Sequence, residues 1–181
     1  MVKRVSSRMV YSGKTVKLRV DEILDRRVKI REVVEHPGAS AILPIKSNSK
    51  ILLIKQYRHP VGKWILEIPA GTLKTGETDY ECAVRELEEE TGYKAGRLEK
   101  IITIMPSPGY STERISIYLA FNLEKSIQNL DEDEEIELLE MDLDEAIREV
   151  MSTDEADGKT LLALLLYKYY YREKLDSRKC V

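Results

Sequence analysis

Residues 78–92, TDYECAVRELEEETG, leave little freedom in local structure. Thr78 with Glu81 three positions on forms a capping box, in which side chain and backbone satisfy the orphan amides of a helix start reciprocally. Tyr80, Ala83, Val84 and Leu87 recur at i, i+3, i+4 and i+7, one helical face, and Gly92 supplies the stop. The spacing predicts a helix over 79–91 whose apolar stripe must be covered by something else.

The neighbouring segments indicate what covers it. Segments 5–11 and 14–20 flank the turn pair Ser12-Gly13 and read as a hairpin, and a strand over 28–35 is closed by Pro37-Gly38. ASAILPI (39–45) and ILLIKQY (51–57) bracket the turn-rich SNSK and read as a buried hairpin. WILEIP (64–69) is a short strand and TLKTGE a loop. After the helix, strands are expected at 98–105 and 114–121, the second with Ile115, Ile117, Leu119 and Phe121 alternating, with the loop PSPGYSTE (106–113) between them. The acidic run DEDEE (131–135) leads into the short strand IELLEM, and helices are expected at 143–151 and 159–173, the last entered through Asp157-Gly158. Strands, a helix, more strands, then helices indicate an α+β fold with helices packed on a mixed central sheet.

With 181 residues the chain has the length of one domain. Its longest uninterrupted apolar run, Leu161–Tyr167, is seven residues, far short of the roughly 20 that cross a bilayer, and no apolar segment follows the basic N-terminus as in a signal peptide. A soluble, cytoplasmic protein with no membrane partner is the expectation. Cys82 and Cys180 are too few and too scattered for a disulfide framework or a thiolate metal site. With His36 and His59 the only histidines, a metal would be held by oxygen. Residues 1–60 carry 14 Lys and Arg against 5 Asp and Glu, whereas 61–181 carry 15 against 27. The basic first third can face an anionic ligand or the acidic remainder, and a count does not choose. A pI of about 5.6 without a basic-aromatic stripe argues against nucleic acid as a partner.

Within the predicted helix, Glu86, Glu89 and Glu90 stand at i, i+3 and i+4 and project from one face. Such a cluster is either a solvated face or a cation site, and its context decides. Gly71, Glu77, Arg85-Glu86-Leu87, Glu89-Glu90 and Gly92 follow one another at fixed intervals in GTLKTGETDYECAVRELEEETGY (71–93). This segment resembles a complete Nudix box; leaving Leu87 aside, the other seven are fixed identities at ordinary usage of about 5–8% each, so that a chance match is rarer than about one in a million. Its one departure is Tyr93, where the family usually carries an aliphatic residue.

Physical chemistry gives the fixed residues tasks. Gly71 and Gly76 allow the loop its turns, Arg85 can pair a neighbouring carboxylate and fix helix to loop, and Glu86, Glu89 and Glu90 offer hard oxygen ligands suited to Mg²⁺ or Mn²⁺. The resemblance implies an α/β/α sandwich, metal-dependent hydrolysis of a nucleoside diphosphate linked to another group, and a metal shell completed by the carbonyl of Ala70. It gives Glu77 a supporting role through Arg85. It also implies a general base from a mobile acidic loop, matched by DEDEEIEL, with Glu134 the first choice and Glu132 the second.

Outside the box, HPGASAILP (36–44), KQYRHP (55–60), EIPAGT (67–72) and SPGYSTE (107–113) resemble the ADP-ribose pyrophosphatase group, as does Pro108, fifteen residues beyond Tyr93. The resemblance spans about residues 28–165. It implies hydrolysis of ADP-ribose to AMP and ribose 5-phosphate. Arg58 would grip a phosphate, Glu113 would order the site loop, and Arg27 and Glu32 would meet the terminal ribose or the base. Stacking on adenine falls to one of Tyr11, Tyr57, Trp64 and Tyr110, and sequence leaves the choice open. In that group the N-terminal strands cross to a second subunit, so residues 1–37 are expected to form a dimerisation element and 38–181 the hydrolase domain. Another nucleoside-diphosphate sugar, a dinucleoside polyphosphate, or a non-catalytic ADP-ribose sensor are the alternatives.

Overall fold

The computed structural model describes residues 3–46, 50–130 and 134–172. Its first element is an antiparallel meander of β1 (Lys3–Ser12), β2 (Lys17–Asp25) and β3 (Arg27–Glu35). The predicted hairpin and following strand are thus one sheet. Every residue of β1 is exposed, and Val5, Tyr11, Leu24, Val28 and Ile30 leave large apolar side chains uncovered. The end of β3 is tied to the body of the protein: Val34 N–H donates to the Tyr110 carbonyl at 2.8 Å, and Thr112 N–H donates to the Val34 carbonyl at 3.0 Å.

Two further sheets make the body. β4 (Ala39–Pro44) lies between β7 (Ala70–Thr72) and β9 (Ile115–Lys125), with β8 (Tyr93–Ile104) beyond β9; β5 (Lys50–Arg58) lies between β6 (Lys63–Glu67) and β10 (Ile136–Asp142). The mixed character comes from β4 and β9, which run parallel, while the other ladders are antiparallel. The expected hairpin of 39–45 on 51–57 is corrected here: β4 and β5 sit in different sheets, form no ladder with each other among the described residues, and are joined by the isolated Ile45–Ile51 bridge. The first run, and the second over 51–54, are buried on both faces, so these stretches lack the alternation that would fix a partner, and each strand finds its ladder elsewhere. Two boundaries also move. β8 begins at Tyr93, immediately after the helix stop, and the predicted strand 64–69 ends at Glu67 as β6, with β7, a strand the sequence reading did not predict, following Ile68-Pro69.

α1 (Asp79–Thr91) is the predicted helix, with both halves of its capping box formed and Gly92 in the left-handed conformation at φ 68°. Its Ala83 and Leu87 pack against Ile42, Tyr118 and Ala120 on one face of the mixed sheet. The opposite face, with Ala41, Leu43, Ile117 and Leu119, packs with Leu53 of β5 against α2 (Leu143–Met151) and α3 (Gly158–Leu166). The period-2 alternation along β4 and β9 sends neighbouring residues to these two cores, giving helices on both sides of a mixed sheet. α3 ends earlier than the predicted 173, at Leu166, and continues as a π-helical turn over Tyr167–Tyr171.

Candidate active site

β7, the loop 73–78 and α1 form one continuous construction. β7 pairs with β4 through Ala41–Ala70 and Ser40–Gly71, which fixes the backbone over the carboxylate face of α1. At Gly71 the approach is so close that a Cβ would stand 1.8 Å from Glu86 Oε1, a space only glycine leaves. Gly76, at φ 82°, turns the loop back toward the helix.

Arg85 holds this assembly together. Its Nε and Nη2 donate to the two oxygens of Glu77 at 2.7 and 3.0 Å, a bidentate pair across the loop. Nη1 donates to Glu86 at 2.6 Å and to Glu89 at 2.8 Å, and Nη2 also reaches the Thr72 carbonyl at 3.2 Å. Pairing with Arg85 lowers the Glu77 carboxyl to about 2 against partial burial. The Arg85 guanidinium is raised in turn, most by Glu77.

Glu86 and Glu90 contrast with Glu77. Both are buried, at 8% and 1% exposure. Glu90 accepts a 2.9 Å hydrogen bond from the Ala70 amide, yet burial and then the charge of Glu86 push its carboxyl well above the usual range. Burial also raises Glu86, more than Arg85 lowers it, with Glu89 and Glu134 adding to the rise. Two buried carboxylates that repel each other and Glu134 form a site where a hard cation would offset the desolvation cost. The donors therefore fit Mg²⁺ or Mn²⁺. Among the described residues no three His, Cys, Asp or Glu side chains converge as a ready-made metal cluster. Glu86 and Glu89 are turned onto Arg85, and Glu90 onto the Ala70 amide.

A cavity of about 920 Å³ opens over this construction. Its lining includes Ala70, Arg85, Glu86, Glu89 and Glu134, the basic Arg58 and Lys159, and the apolar Ile104, Pro106 and Ile115; Glu90, buried beneath Ala70, does not line it. Arg58 does not present a free fork: its Nε and Nη2 donate to both oxygens of Glu67 at 2.7 and 3.0 Å. Glu67 is 2% exposed; burial pushes its carboxyl up, but Arg58 and Lys159 outweigh that and hold it below the usual range. Lys159 also pairs with Asp157 at 3.0 Å, and Asp157 caps α3 through the Thr160 amide. Sequence reasoning passed over Glu67 and Lys159. Glu67 stands in the quoted EIPAGT, and Lys159 adjoins Asp157-Gly158, which reads only as a helix entry.

Of the other predicted site residues, Glu113 lines the cavity beside His36, whose Nε2 lies 4.0 Å from its carboxylate. Arg27 and Glu32 are exposed on β3 and do not line it. Neither does Pro108, which sits in the 108–110 turn while Pro106 faces the cavity. Glu132 lies outside the described residues. None of the candidate stacking aromatics lines the cavity; Tyr57 and Trp64 meet edge to face at 6.0 Å on the outside of β5 and β6, and Tyr11 and Tyr110 are exposed.

The family model for the NUDIX domain matches residues 34–164, which contain every element of this site. The chain belongs to the Nudix hydrolase family. Among relatives of this Nudix hydrolase is the "Methanol dehydrogenase activator" of Bacillus methanolicus, 42% identical over 166 residues, covering 90% of each chain. The "ADP-ribose pyrophosphatase" of Bacillus subtilis (strain 168) is 40% identical over 181 residues, covering 98% of this chain and 97% of that one. "GDP-mannose pyrophosphatase" of Salmonella typhimurium is 37% identical over 146 residues, 74% of this chain and 75% of that one. A solved structure titled "Crystal structure of ADP compounds hydrolase" superposes with a TM-score of 0.83 at 22% identity, covering 99% of this chain and 97% of that one, and so shares the fold of this Nudix hydrolase, meander included. No helix among the described residues is long and apolar enough to cross a membrane.

Proposed function

We propose that the protein is a Mg²⁺- or Mn²⁺-dependent ADP-ribose pyrophosphatase that cleaves ADP-ribose with water to AMP and ribose 5-phosphate. The observation that carries this reading is the buried Glu86–Glu90 pair, of which Glu86 lines a cavity that Arg58 and Lys159 line as well, an arrangement that offers a diphosphate both a cation site and basic side chains. ADP-ribose is preferred among such diphosphates because the Bacillus subtilis ADP-ribose pyrophosphatase matches nearly the whole chain, whereas the GDP-mannose pyrophosphatases match three quarters of it.

In this reading Glu86, Glu89, Glu90 and the carbonyl of Ala70 hold the metal, which neutralises phosphate oxygens and lowers the pKa of bound water. Arg85 spaces the carboxylates and, through Glu77, keeps the loop against α1. Glu134 accepts the proton of the attacking water, with Glu132 as the second choice. Arg58 contacts a substrate phosphate through the guanidinium edge that Glu67 leaves free, and Glu113 and Pro108 shape the loop beside it. Residues 1–37 dimerise the protein, and Arg27 and Glu32, remote from the cavity of their own chain, serve that of the second subunit. The enzyme acts in the cytoplasm.

Product analysis of the pure protein with ADP-ribose, with and without Mg²⁺, tests the reading beside nucleoside triphosphate, diadenosine polyphosphate and GDP-mannose. AMP and ribose 5-phosphate formed only with metal, and fastest from ADP-ribose, support it; preference for another diphosphate moves the substrate, and tight binding without product leaves a sensor. The relative named as a methanol dehydrogenase activator favours a second reading, activation of a dehydrogenase. A rise in methanol dehydrogenase rate on adding the protein with Mg²⁺ supports that reading, and an unchanged rate removes it.

A further inference from the structure

Beside the catalytic cavity lies a second groove of about 790 Å³, between the β1–β2 turn and the loop 72–77. It shares His36, Thr72, Leu73 and Lys74 with the catalytic cavity, so the two adjoin across these residues. Its charged lining is Lys14 and Lys17 from the turn, Lys74 from the loop, and the carboxylates Glu35 and Glu77, with His36 between. The carboxylates are already committed. Glu35 accepts from Arg19, and Glu77 holds Arg85 in a bidentate pair. Lys17 stands opposite Glu35 in the β2–β3 ladder, but Arg19 has taken that carboxylate. Neither Lys14 nor Lys17 has an ion-pair partner among the described residues, and Lys74 lies 3.8 Å from Glu89 at the rim of the other cavity. A Cβ placed on Gly76 would meet nothing within 4 Å, so the loop side of the groove is open. At this place the basic first third of the sequence is not answered by the acidic remainder.

Lys14 and Lys17, whose local acid Glu35 is engaged by Arg19, form an anion site with Lys74 at its edge, and lysine suits a phosphate as a point charge without demanding one geometry. We propose that this groove is an anion subsite for a phosphate monoester carried by the nucleoside-diphosphate substrate away from the scissile bond. The enzyme then favours substrates phosphorylated on a ribose over plain ADP-ribose. The subsite rests on the proposed hydrolase reading for its adjacency to the scissile diphosphate, and on the groove itself for its charge.

The test compares kcat/KM of the full chain with Mg²⁺ on three substrates: ADP-ribose, ADP-ribose phosphorylated on the adenosine ribose, and ADP-ribose phosphorylated on the terminal ribose. The same panel is run on Lys14→Gln/Lys17→Gln, whose side chains are exposed and outside the catalytic cavity. Expected is a preference of about tenfold for one phosphorylated substrate, equivalent to about 1.4 kcal/mol, which the double variant loses while its ADP-ribose activity stays within about twofold. The identity of the favoured substrate assigns the source of the phosphate. No preference in the unmodified protein, or a preference that survives the double substitution, overturns the proposal. Should ADP-ribose not be cleaved at all, the hydrolase reading fails separately. Titration with inorganic phosphate then decides the subsite, with weaker binding by the double variant expected and equal binding overturning it.

Discussion

The N-terminal meander and the β7–α1 segment deal with charge and apolar surface in opposite ways. In β1–β3 the buried carboxylate of Asp21 is neutralised by Arg19, which also pairs with Glu35, while Leu24, Val28 and Ile30 stay exposed. In β7–α1 Ala83 and Leu87 of the predicted apolar stripe are covered while Tyr80 and Val84 stay exposed, and the carboxylates Glu86 and Glu90 are buried, against the usual cost of taking charge out of water. A three-stranded ribbon that covers so little apolar area gains little from folding by itself and needs a second surface. A helix that buries two carboxylates gives up stability at that place, and a bound cation would offset the cost. The proposed second chain would cover the meander as the proposed metal would neutralise the box.

The largest effect follows from removing the buried charge. Glu90→Gln is expected to lower turnover of ADP-ribose about a thousandfold or more, the scale on which loss of a charge-stabilising group acts. The metal-free variant should still fold and should be less sensitive to pH. Because the folded-state carboxyl of Glu90 lies above its ordinary 4.5, its contribution to stability is full below that value and is lost as pH rises through the raised one. Glu77 has the opposite sign: lowered from 4.5 to about 2, it contributes fully above 4.5, and the contribution is lost as pH falls toward 2. Chemical denaturation of the metal-free protein between pH 4 and 8 should therefore show Glu90→Gln flattening the decline at high pH, with the acid limb unchanged. Undiminished turnover would remove Glu90 from the metal site.

The meander is tested by charging its uncovered face. Leu24 and Val28 are cross-strand partners at 44% and 59% exposure, and Ile30 follows two residues on at 55%. In an isolated chain Val28→Lys/Ile30→Lys should be nearly neutral, as surface changes usually are. If this face meets a second subunit, the same change should weaken association at least about a hundredfold, two interface anchors at about 1.4 kcal/mol or more each. Sedimentation velocity across a concentration series separates the two, and an unchanged distribution would show that the apolar face is not the interface.

Arg85→Lys acts at an intermediate scale. Lysine keeps the charge but cannot bridge Glu77 while also spacing Glu86 and Glu89 as the planar fork does. A loss of about 2 kcal/mol in urea unfolding is expected, below the usual cost of breaking a fully buried pair because the Arg85 side chain retains 19% exposure. Activity should fall with it, since loop and helix lose their register.

These contrasts explain what was legible beforehand. α1 could be read to the residue because its signals are local: Thr78 and Glu81 cap it, Gly92 stops it, and the stripe between them has one period. The box glutamates were legible because their spacing is part of the same helix. The partners of β4 and β5 were not, because a stretch buried on both faces carries no alternation, and its ladder is decided by segments up to ninety-two residues away. Lys159 and Glu67 escaped for a related reason. Their meeting is set by how α3 docks on β6, ninety-two residues apart in sequence, and nothing local to either residue announces it. Arg58 was legible as a cation near the site but not as one half-occupied by Glu67.

The smallest effect is the most direct test of how far local signals carry stability. Thr78 Oγ1 accepts from the Glu81 amide at 3.2 Å, while the Glu81 carboxylate accepts from the Thr78 amide at 2.9 Å. Thr78→Ala removes one half of this reciprocal pair and should cost about 1 kcal/mol in urea unfolding. Arg85 still joins Glu77 to α1 and Ser40 still donates to the Asp79 carbonyl, so the first turn keeps two tertiary anchors and ADP-ribose turnover should hardly change. Thr78→Ser should restore most of the loss, because the hydroxyl rather than the methyl supplies the bond. A loss of activity larger than the loss of stability would mean that the cap sets the aim of Glu86 and Glu90, joining the helix start to the chemistry two turns further on.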